Sequence, residues 1–182
     1  MTAATASDLT DRIRRAIRDV PDFPKPGIVF KDITPLLADS SLFRETTDAM
    51  ADAFAGERIT HVVAIESRGF ILGAPVAQGL NAGFVPVRKA GKLPAKTVAE
   101  EYALEYGTDI LEVHADACEW ARKPRVLIVD DVLATGGTAD ATRRLIEGLG
   151  AEVVGFSFLM ALGFLRGLDR LKSRRVRALV TY

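Results

Sequence analysis

Two adjacent carboxylates, Asp130 and Asp131, close an apolar run and are followed by Ala134-Thr135-Gly136-Gly137-Thr138. The chemistry open to such a string is the clamping of a sugar phosphate. Carboxylates accept hydrogen bonds from vicinal hydroxyls or share a divalent metal, and a glycine-rich turn brings backbone amides and threonine hydroxyls to one anion. The run before them, Val126 to Val129, is apolar at every position, as in a strand buried on both faces of a parallel sheet. Open α/β sheets gather their ligands at the carboxyl ends of such strands, and a helix opening after the glycines favours a phosphate at its N-terminus. Neither Gly-x-x-x-x-Gly-Lys-Ser/Thr nor Gly-x-Gly-x-x-Gly occurs, which excludes a Walker A loop and a Rossmann dinucleotide unit.

The elements that must position these groups read as alternating α and β. Leu9, Ile13, Ala16, Ile17 and Val20 recur at helical spacing, and Pro21, Pro24 and Pro26 are expected to stop that helix. Phe43, Thr47, Met50 and Phe54 mark a second helix, with Gly56 expected as its C-cap. His61 to Ile65 reads as a buried strand, Leu72, Val76 and Leu80 as a helix, and Phe84 to Val87 as a strand. Ala141, Leu145 and Leu149 mark a helix closing at Gly150, and Val153 to Met160 and Val176 to Thr181 are two further strands. Such alternation predicts a mainly parallel sheet flanked by helices. Between Lys89 and His114 a polar segment punctuated by Gly91, Pro94 and Gly107 predicts a mobile hairpin that covers the chemistry.

With 182 residues the chain suits one domain, and no repeat or linker divides it. Its 24 basic and 24 acidic residues balance, so no global field recruits nucleic acid or an anionic membrane. The basic segment Arg170, Lys172, Arg174, Arg175 and Arg177 reads as a solvated face. The lone Cys118 forms no internal disulfide, and His61 and His114 are too few for a Cys/His zinc cluster. No secretory signal opens the sequence, and the longest apolar tract, Val153 to Leu165, is too short to span a bilayer, so a cytoplasmic location is expected.

Three further segments accompany the Asp130 string: Asp22-Phe23-Pro24-Lys25-Pro26-Gly27-Ile28-Val29-Phe30-Lys31-Asp32-Ile33; Glu66-Ser67-Arg68-Gly69-Phe70; and Arg88-Lys89-Ala90-Gly91-Lys92-Leu93-Pro94 with Tyr102-Ala103-Leu104-Glu105-Tyr106-Gly107. Together they resemble the type I phosphoribosyltransferase family and, within it, the adenine phosphoribosyltransferases. The Asp130 string is common to the superfamily; the proline-rich segment and Leu-Glu-Tyr-Gly are those of the adenine branch. The resemblance implies a single α/β domain over residues 1–182, with an N-terminal helix and base-binding hood over residues 1–35 and a flexible lid over 89–114. It implies transfer of ribose 5-phosphate from phosphoribosyl pyrophosphate (PRPP) to N9 of adenine, giving AMP and pyrophosphate, with Mg2+ and in a homodimer.

Each position so implied has a physical reading. Phe30 offers a flat face to a purine, the backbone of Val29 and Lys31 its edge contacts, and Leu162 an apolar wall. Asp130 and Asp131 hold the ribose hydroxyls directly or through the metal, and Ala134, Thr135, Gly136, Gly137 and Thr138 hold the 5′-phosphate. Glu66, Ser67 and Arg68, in a turn implied to carry a non-proline cis peptide at Glu66-Ser67, face the pyrophosphate with Arg88, Lys89, Lys92 and Tyr106. Glu105 is the candidate general base. Glu100 and Glu101 are expected as exposed charge, and His61 and His114 as structural or surface residues.

Two departures from the family pattern stand out. Met160-Ala161-Leu162-Gly163-Phe164 replaces a segment that usually carries a Glu-Leu pair, which predicts a more apolar wall near the base, and Ala90 stands where a basic residue is common. A phosphoribosyltransferase for another purine is one alternative, separable by base competition. A PRPP-sensing regulator that binds nucleic acid is the other, although residues before Asp22 are too few for a winged helix.

Overall fold

A computed structural model describes residues 6–103, 108–119 and 121–182 of the chain. Two units divide it between Ala49 and Met50. The first opens with α1 (Ala6–Ala16), whose apolar stripe includes the buried Ile13. The stripe does not continue to Val20. Arg18 instead starts β1 (Arg18–Pro21), antiparallel to β2 (Val29–Asp32), with Arg18 opposite Asp32, Val20 opposite Phe30 and Pro21 opposite Val29. Cross-strand charge favours this ribbon over another helical turn: Arg18 lies 2.6 Å from Asp32 and Lys31 2.6 Å from Asp19.

Asp32 also accepts the Thr34 amide at 2.9 Å, which opens α2 (Thr34–Ala38) with Pro35 in its first turn. The Thr34 amide and then Arg18 hold the Asp32 carboxyl down at about 2. Between the strands the Asp22 carboxylate accepts the Gly27 amide at 2.8 Å, Gly27 takes φ +87°, and the Phe23–Pro24 peptide is cis. The Asp39 carboxylate then takes the amides of Ser41 and Leu42 at the start of α3 (Ser40–Asp52). Gly56, expected as the C-cap of α3, lies inside a separate 3-10 turn, Ala55–Glu57, and the left-handed residue closing that turn is Arg58.

The second unit carries a seven-stranded sheet. In chain order its elements are β3 (His61–Ile65), α4 (Arg68–Gly79), β4 (Gly83–Lys89), β5 (Thr97–Ala103), β6 (Thr108–His114), β7 (Arg125–Leu133), α5 (Gly137–Gly148), β8 (Glu152–Ala161), α6 (Gly167–Arg170) and β9 (Arg175–Thr181). The spatial order is β5-β6-β4-β3-β7-β8-β9; β4, β3, β7, β8 and β9 are parallel, and β6 and β5 extend the β4 edge antiparallel. Every residue of β3 and of Val126–Val129 is buried, as helices on both faces of a parallel sheet require. The segment expected as a hairpin pairs as one, from Thr97 opposite His114 to Ala103 opposite Thr108.

Burying β-branched and aromatic side chains drives this assembly. One cluster joins Val63 and Ile65 of β3, Val126 and Ile128 of β7, Phe156 and Phe158 of β8, and Leu145 and Ile146 of α5. Among the described residues no helix is long and apolar enough to cross a membrane. The basic C-terminal segment is largely ion-paired: Lys172 with Asp169, Arg174 with Glu147, and Arg175 with Glu57.

Candidate active site

Strand β3 separates the two halves of the sheet, with β4 on one side and β7 on the other. Such a switch point leaves a crevice at the carboxyl ends of the strands. Pairing of β3 with β7 ends at Ala64 opposite Val129, whereas β7 continues to Leu133, so Asp130 and Asp131 lie within the strand and not after it. Here β7 has lost its neighbour on one side. The chain after β3 turns through Glu66–Ser67, which is cis, into α4, and that turn and the exposed edge of β7 face one cleft of about 410 Å³. Its walls include Glu66, Ser67, Arg68, Lys89, Asp130, Asp131 and all of Ala134 to Thr138.

Asp131 is 3% exposed, and its Oδ2 lies 2.7 Å from Arg68 Nε. No hydrogen bond to that oxygen is made among the described residues, so the contact is an ion pair with acceptor capacity left over. Burial and then the neighbouring Asp131 charge push the Asp130 carboxyl up; burial raises Asp131 as well, opposed by Arg68. Beyond them Gly136 takes φ +78°, which turns the chain into α5, and the Asp140 amide donates to the Gly136 carbonyl. The first residues of α5, Gly137 and Thr138, line the cleft, and the Ala134 to Thr138 loop carries no acidic or bulky side chain.

Three cations expected near an anion divide between two carboxylates. Glu66 Oε2 accepts Arg88 Nε at 3.1 Å and the Lys89 amide at 3.2 Å, and Glu66 Oε1 lies 3.1 Å from Lys92 Nζ. Arg88 further donates to the Lys92 carbonyl at 2.9 Å. Burial raises Glu66, but these donors outweigh it and hold the carboxyl below its ordinary value. The Lys89 ammonium instead lies 3.2 Å from Asp109. Glu66 thus organises the basic group. It is a poor direct partner for a polyanion of its own sign.

Of the base-binding candidates, Val29, Phe30 and Lys31 form β2 in the first unit. Phe30 is half-buried with its ring edge-on to Phe23 at 5.2 Å, and Val29 is 52% exposed. Pro21, opposite Val29, has no N–H, so β1 offers no donor to the Val29 carbonyl at that register. Leu162, in the second unit, follows β8; its amide donates to the Leu133 carbonyl at 2.9 Å, and the preceding Ala161 is buried. Glu105 and Tyr106 lie outside the described residues.

Several cleft residues escape a reading by motif. Tyr102, Asp109 and Leu111 of the hairpin and Phe158 of β8 line it. Tyr102 is 8% exposed; burial pushes its hydroxyl pKa up, and the hydroxyl donates to Asp109 Oδ2 at 3.4 Å within the hairpin. Glu100, expected as free charge, ion-pairs with Arg144 of α5 at 2.5 Å, so the hairpin is docked on the helix that follows the loop. Gly69 acts from behind the cleft wall: a Cβ there would lie 2.8 Å from Asp130 Oδ1 and 3.2 Å from the Val129 carbonyl, so only glycine lets α4 approach the carboxylates this closely. The only advance signal was its place in Ser-Arg-Gly. The two histidines lie apart from this cleft; His61 is 6% exposed with Nδ1 2.9 Å from Thr60 Oγ1.

Comparison with known proteins agrees with this geometry. Residues 34–176 match the phosphoribosyl transferase domain family. The chain is 58% identical over 178 residues to an adenine phosphoribosyltransferase of Myxococcus xanthus, covering 98% of this chain and 96% of the relative. A crystal structure of adenine phosphoribosyltransferase from Rhodothermus marinus superposes with a TM-score of 0.91 at 53% identity, over 97% of this chain and 99% of that one. The enzyme of Saccharomyces cerevisiae, crystallised with an imino-altritol bisphosphate and adenine, gives 0.88 at 38% identity, over 95% and 99%.

Proposed function

We infer that this chain, which belongs to the adenine phosphoribosyltransferase family, transfers the ribose 5-phosphate of PRPP to N9 of adenine, releasing pyrophosphate and forming AMP. The observation that carries this reading is one cleft bounded on one side by the Glu66 to Arg68 turn and on the other by Asp130 to Thr138. A pyrophosphate and a 5′-phosphate need two anion sites flanking carboxylates that can take ribose hydroxyls.

As the C1′–oxygen bond stretches, positive charge grows on the ribose and negative charge on the leaving group. Arg68, the amides of its turn and Lys89 are proposed to stabilise the leaving pyrophosphate, with Arg88 and Lys92 held nearby by Glu66. Asp130 and Asp131 take the 2′ and 3′ hydroxyls and oppose the sugar's developing charge. The amides and hydroxyls of Ala134 to Thr138 fix the 5′-phosphate. Phe30 of the hood, residues 1–35, stacks on adenine, the backbone of Val29 and Lys31 reads its edge, and Leu162 adds an apolar wall. Glu105 takes the proton lost by adenine, and Tyr106, on the same lid of residues 89–114, covers the pyrophosphate.

Mg2+ fits the donors present. Asp130 and Asp131 are adjacent buried carboxylates in the cleft wall, and although Asp131 Oδ2 is ion-paired with Arg68, oxygen donors of this kind would hold the ion. An ion of this kind is commonly bound through one or two carboxylates with its other oxygens from substrate phosphates and water. When bound, it supplies charge neutralisation of the pyrophosphate.

A homodimer and a cytoplasmic location belong to the same reading. Ile71 and Phe84 are 44% and 38% exposed, and Phe84 sits edge-on to Phe70 at 5.9 Å, an apolar patch suited to a second copy. Phe84→Glu should shift the sedimentation coefficient to that of a monomer. The buried thiol of Cys118 suits a reducing compartment.

The reaction is tested by AMP formation from PRPP and adenine with and without Mg2+, beside hypoxanthine, guanine, xanthine and orotate, and with Glu105→Gln. Magnesium-dependent AMP formation that prefers adenine and collapses in the variant is expected. Product from another base would overturn the specificity, and no product from any base would overturn the enzyme reading.

A further inference from the structure

Gly167, the first residue of α6, lies far along the chain from the cleft-lining loop and belongs to no motif. It is buried, and it touches the loop backbone directly. A Cβ built at Gly167 would overlap the Ala134 carbonyl oxygen and lie 3.0 Å from the Gly136 nitrogen. The relationship is reciprocal: a Cβ on Gly136 would lie 2.9 Å from the Gly167 carbonyl oxygen and 3.4 Å from Gly167 Cα and from Arg170 Cβ. Two glycines from distant segments thus meet backbone to backbone.

Neither partner can easily retreat. The segment before Gly167 is tied at one end by the Leu162 amide to the Leu133 carbonyl at 2.9 Å and by the Gly163 amide to the Tyr182 carbonyl at 2.9 Å. Arg166 then adopts left-handed backbone at φ +56°, unusual for a side-chain-bearing residue, and this turn presents Gly167 to the loop. On the far side Leu171 is 1% exposed and anchors the segment in the core. A methyl group at position 167 meets backbone atoms, which cannot rotate aside as a side chain can. The loop must therefore shift.

We propose that Gly167 is a positioning residue for the 5′-phosphate: its bare backbone sets the path of Ala134 to Gly136, so the loop amides converge on one anion only while position 167 has no side chain. This rests on the assignment of Ala134 to Thr138 to the 5′-phosphate. The pyrophosphate side of the cleft, at Arg68 and Lys89, makes no use of the contact, so the two anion sites respond differently to the same substitution. A merely structural glycine predicts equal losses at both.

The test compares calorimetric binding of AMP, which carries the 5′-phosphate, with that of pyrophosphate in the full-length wild type, Gly167→Ala and Thr138→Ala. Weakening of AMP by about tenfold or more in Gly167→Ala, with pyrophosphate within about twofold, supports the proposal. Equal weakening of both ligands, or of neither, overturns it. Thr138→Ala separates the two levels: if it weakens AMP while Gly167→Ala does not, the loop assignment stands and the role of Gly167 falls. If neither variant changes AMP binding, the loop assignment falls and takes the proposal with it. Should Gly167→Ala not fold, hydrogen exchange of the wild type decides. AMP should protect residues 166–171 together with 134–138, and pyrophosphate should protect neither; protection of the loop alone overturns the coupling.

Discussion

Arg68 and Asp131 hold each other across the cleft, Nε 2.7 Å from Oδ2, with the Arg68 side chain 36% exposed and the Asp131 side chain 4% exposed. The proposed reaction asks them to serve different parts of one substrate, Asp131 the ribose and Arg68 the pyrophosphate. Their pairing orients both before either is used. Arg68→Gln should raise the KM for PRPP by roughly 10–100-fold and leave the KM for adenine near wild type. It should also cost about 1–3 kcal/mol of stability, less than breaking a fully buried pair because water reaches the guanidinium. Steady-state kinetics and urea denaturation check both; unchanged PRPP kinetics would remove Arg68 from the site.

Gly69 controls how closely α4 approaches Asp130. Alanine is a better helix former than glycine by about 0.5–1 kcal/mol, which offsets part of the crowding against the Val129 carbonyl. The displaced carboxylate has no such offset. Gly69→Ala should therefore lower kcat/KM for PRPP by about 10–100-fold while Tm moves by no more than about 4 °C. A large fall in Tm with proportionate loss of folded protein would reduce Gly69 to a packing residue.

Glu66 carries a pH signature. Its folded carboxyl lies below the ordinary value because Arg88, Lys92 and the Lys89 amide outweigh burial. A depressed acid contributes stability that is present above the unfolded pKa, about 4.3, and is lost as pH falls through the folded pKa. Glu66→Gln should accordingly be less stable than wild type at pH 7, the gap narrowing as pH falls below about 4.3. Urea midpoints across pH 3 to 7, a range set around that reference value of ~4.3, measure it; a gap constant with pH would mean that the ion pairs contribute nothing.

Phe30 gives the test of base recognition. Base–aromatic stacking is worth about 1–3 kcal/mol, so Phe30→Ala should raise the KM for adenine by roughly 5–100-fold. The KM for PRPP should stay within about twofold, since no phosphate or ribose role falls on this residue. Equal effects on both substrates would make Phe30 a core residue of the first unit, packed on Phe23.

His61 gives a second pH signature. Burial lowers its pKa, so the neutral ring is favoured in the fold, where Nδ1 meets Thr60 Oγ1. A base with a depressed folded pKa destabilises the protein as pH falls below the unfolded value of about 6.5, and the loss levels off below the folded pKa. His61→Gln should flatten the stability profile in that window without changing kinetics. An unaltered profile would assign the pH response to other groups.

Local composition carried the parallel core and the glycine-rich loop that lines the cleft. Val126 to Val129 and His61 to Ile65 are legible because a strand buried on both faces tolerates no polar residue, and Ala134 to Thr138 because few residue types let backbone amides converge. Less was visible where long-range partners choose the structure. Val20 fits a helical stripe, yet the Arg18–Asp32 and Lys31–Asp19 pairs draw its segment into a ribbon. Asp130 and Asp131 look like residues after a strand, and only the earlier end of β3 makes them a cleft wall. The hairpin was legible from its punctuation, but not its docking, which rests on Glu100 paired with Arg144 of α5.

What the sequence by itself determined, then, is the set of candidate groups of the cleft: the carboxylate pair, the glycine-rich loop, the Ser67-Arg68-Gly69 turn and the basic Arg88 to Lys92 segment. Their types and order follow from local chemistry, which neighbours in the chain express. Tertiary structure alone decided how they are combined: that Arg68 pairs with Asp131, that Glu66 gathers Arg88 and Lys92, that Glu100 meets Arg144, and that Gly167 lies against Gly136. Those contacts join residues far apart in sequence. They form only because the buried sheet brings the ends of β3, β7 and β8 to one edge, and no local pattern of residues encodes that meeting.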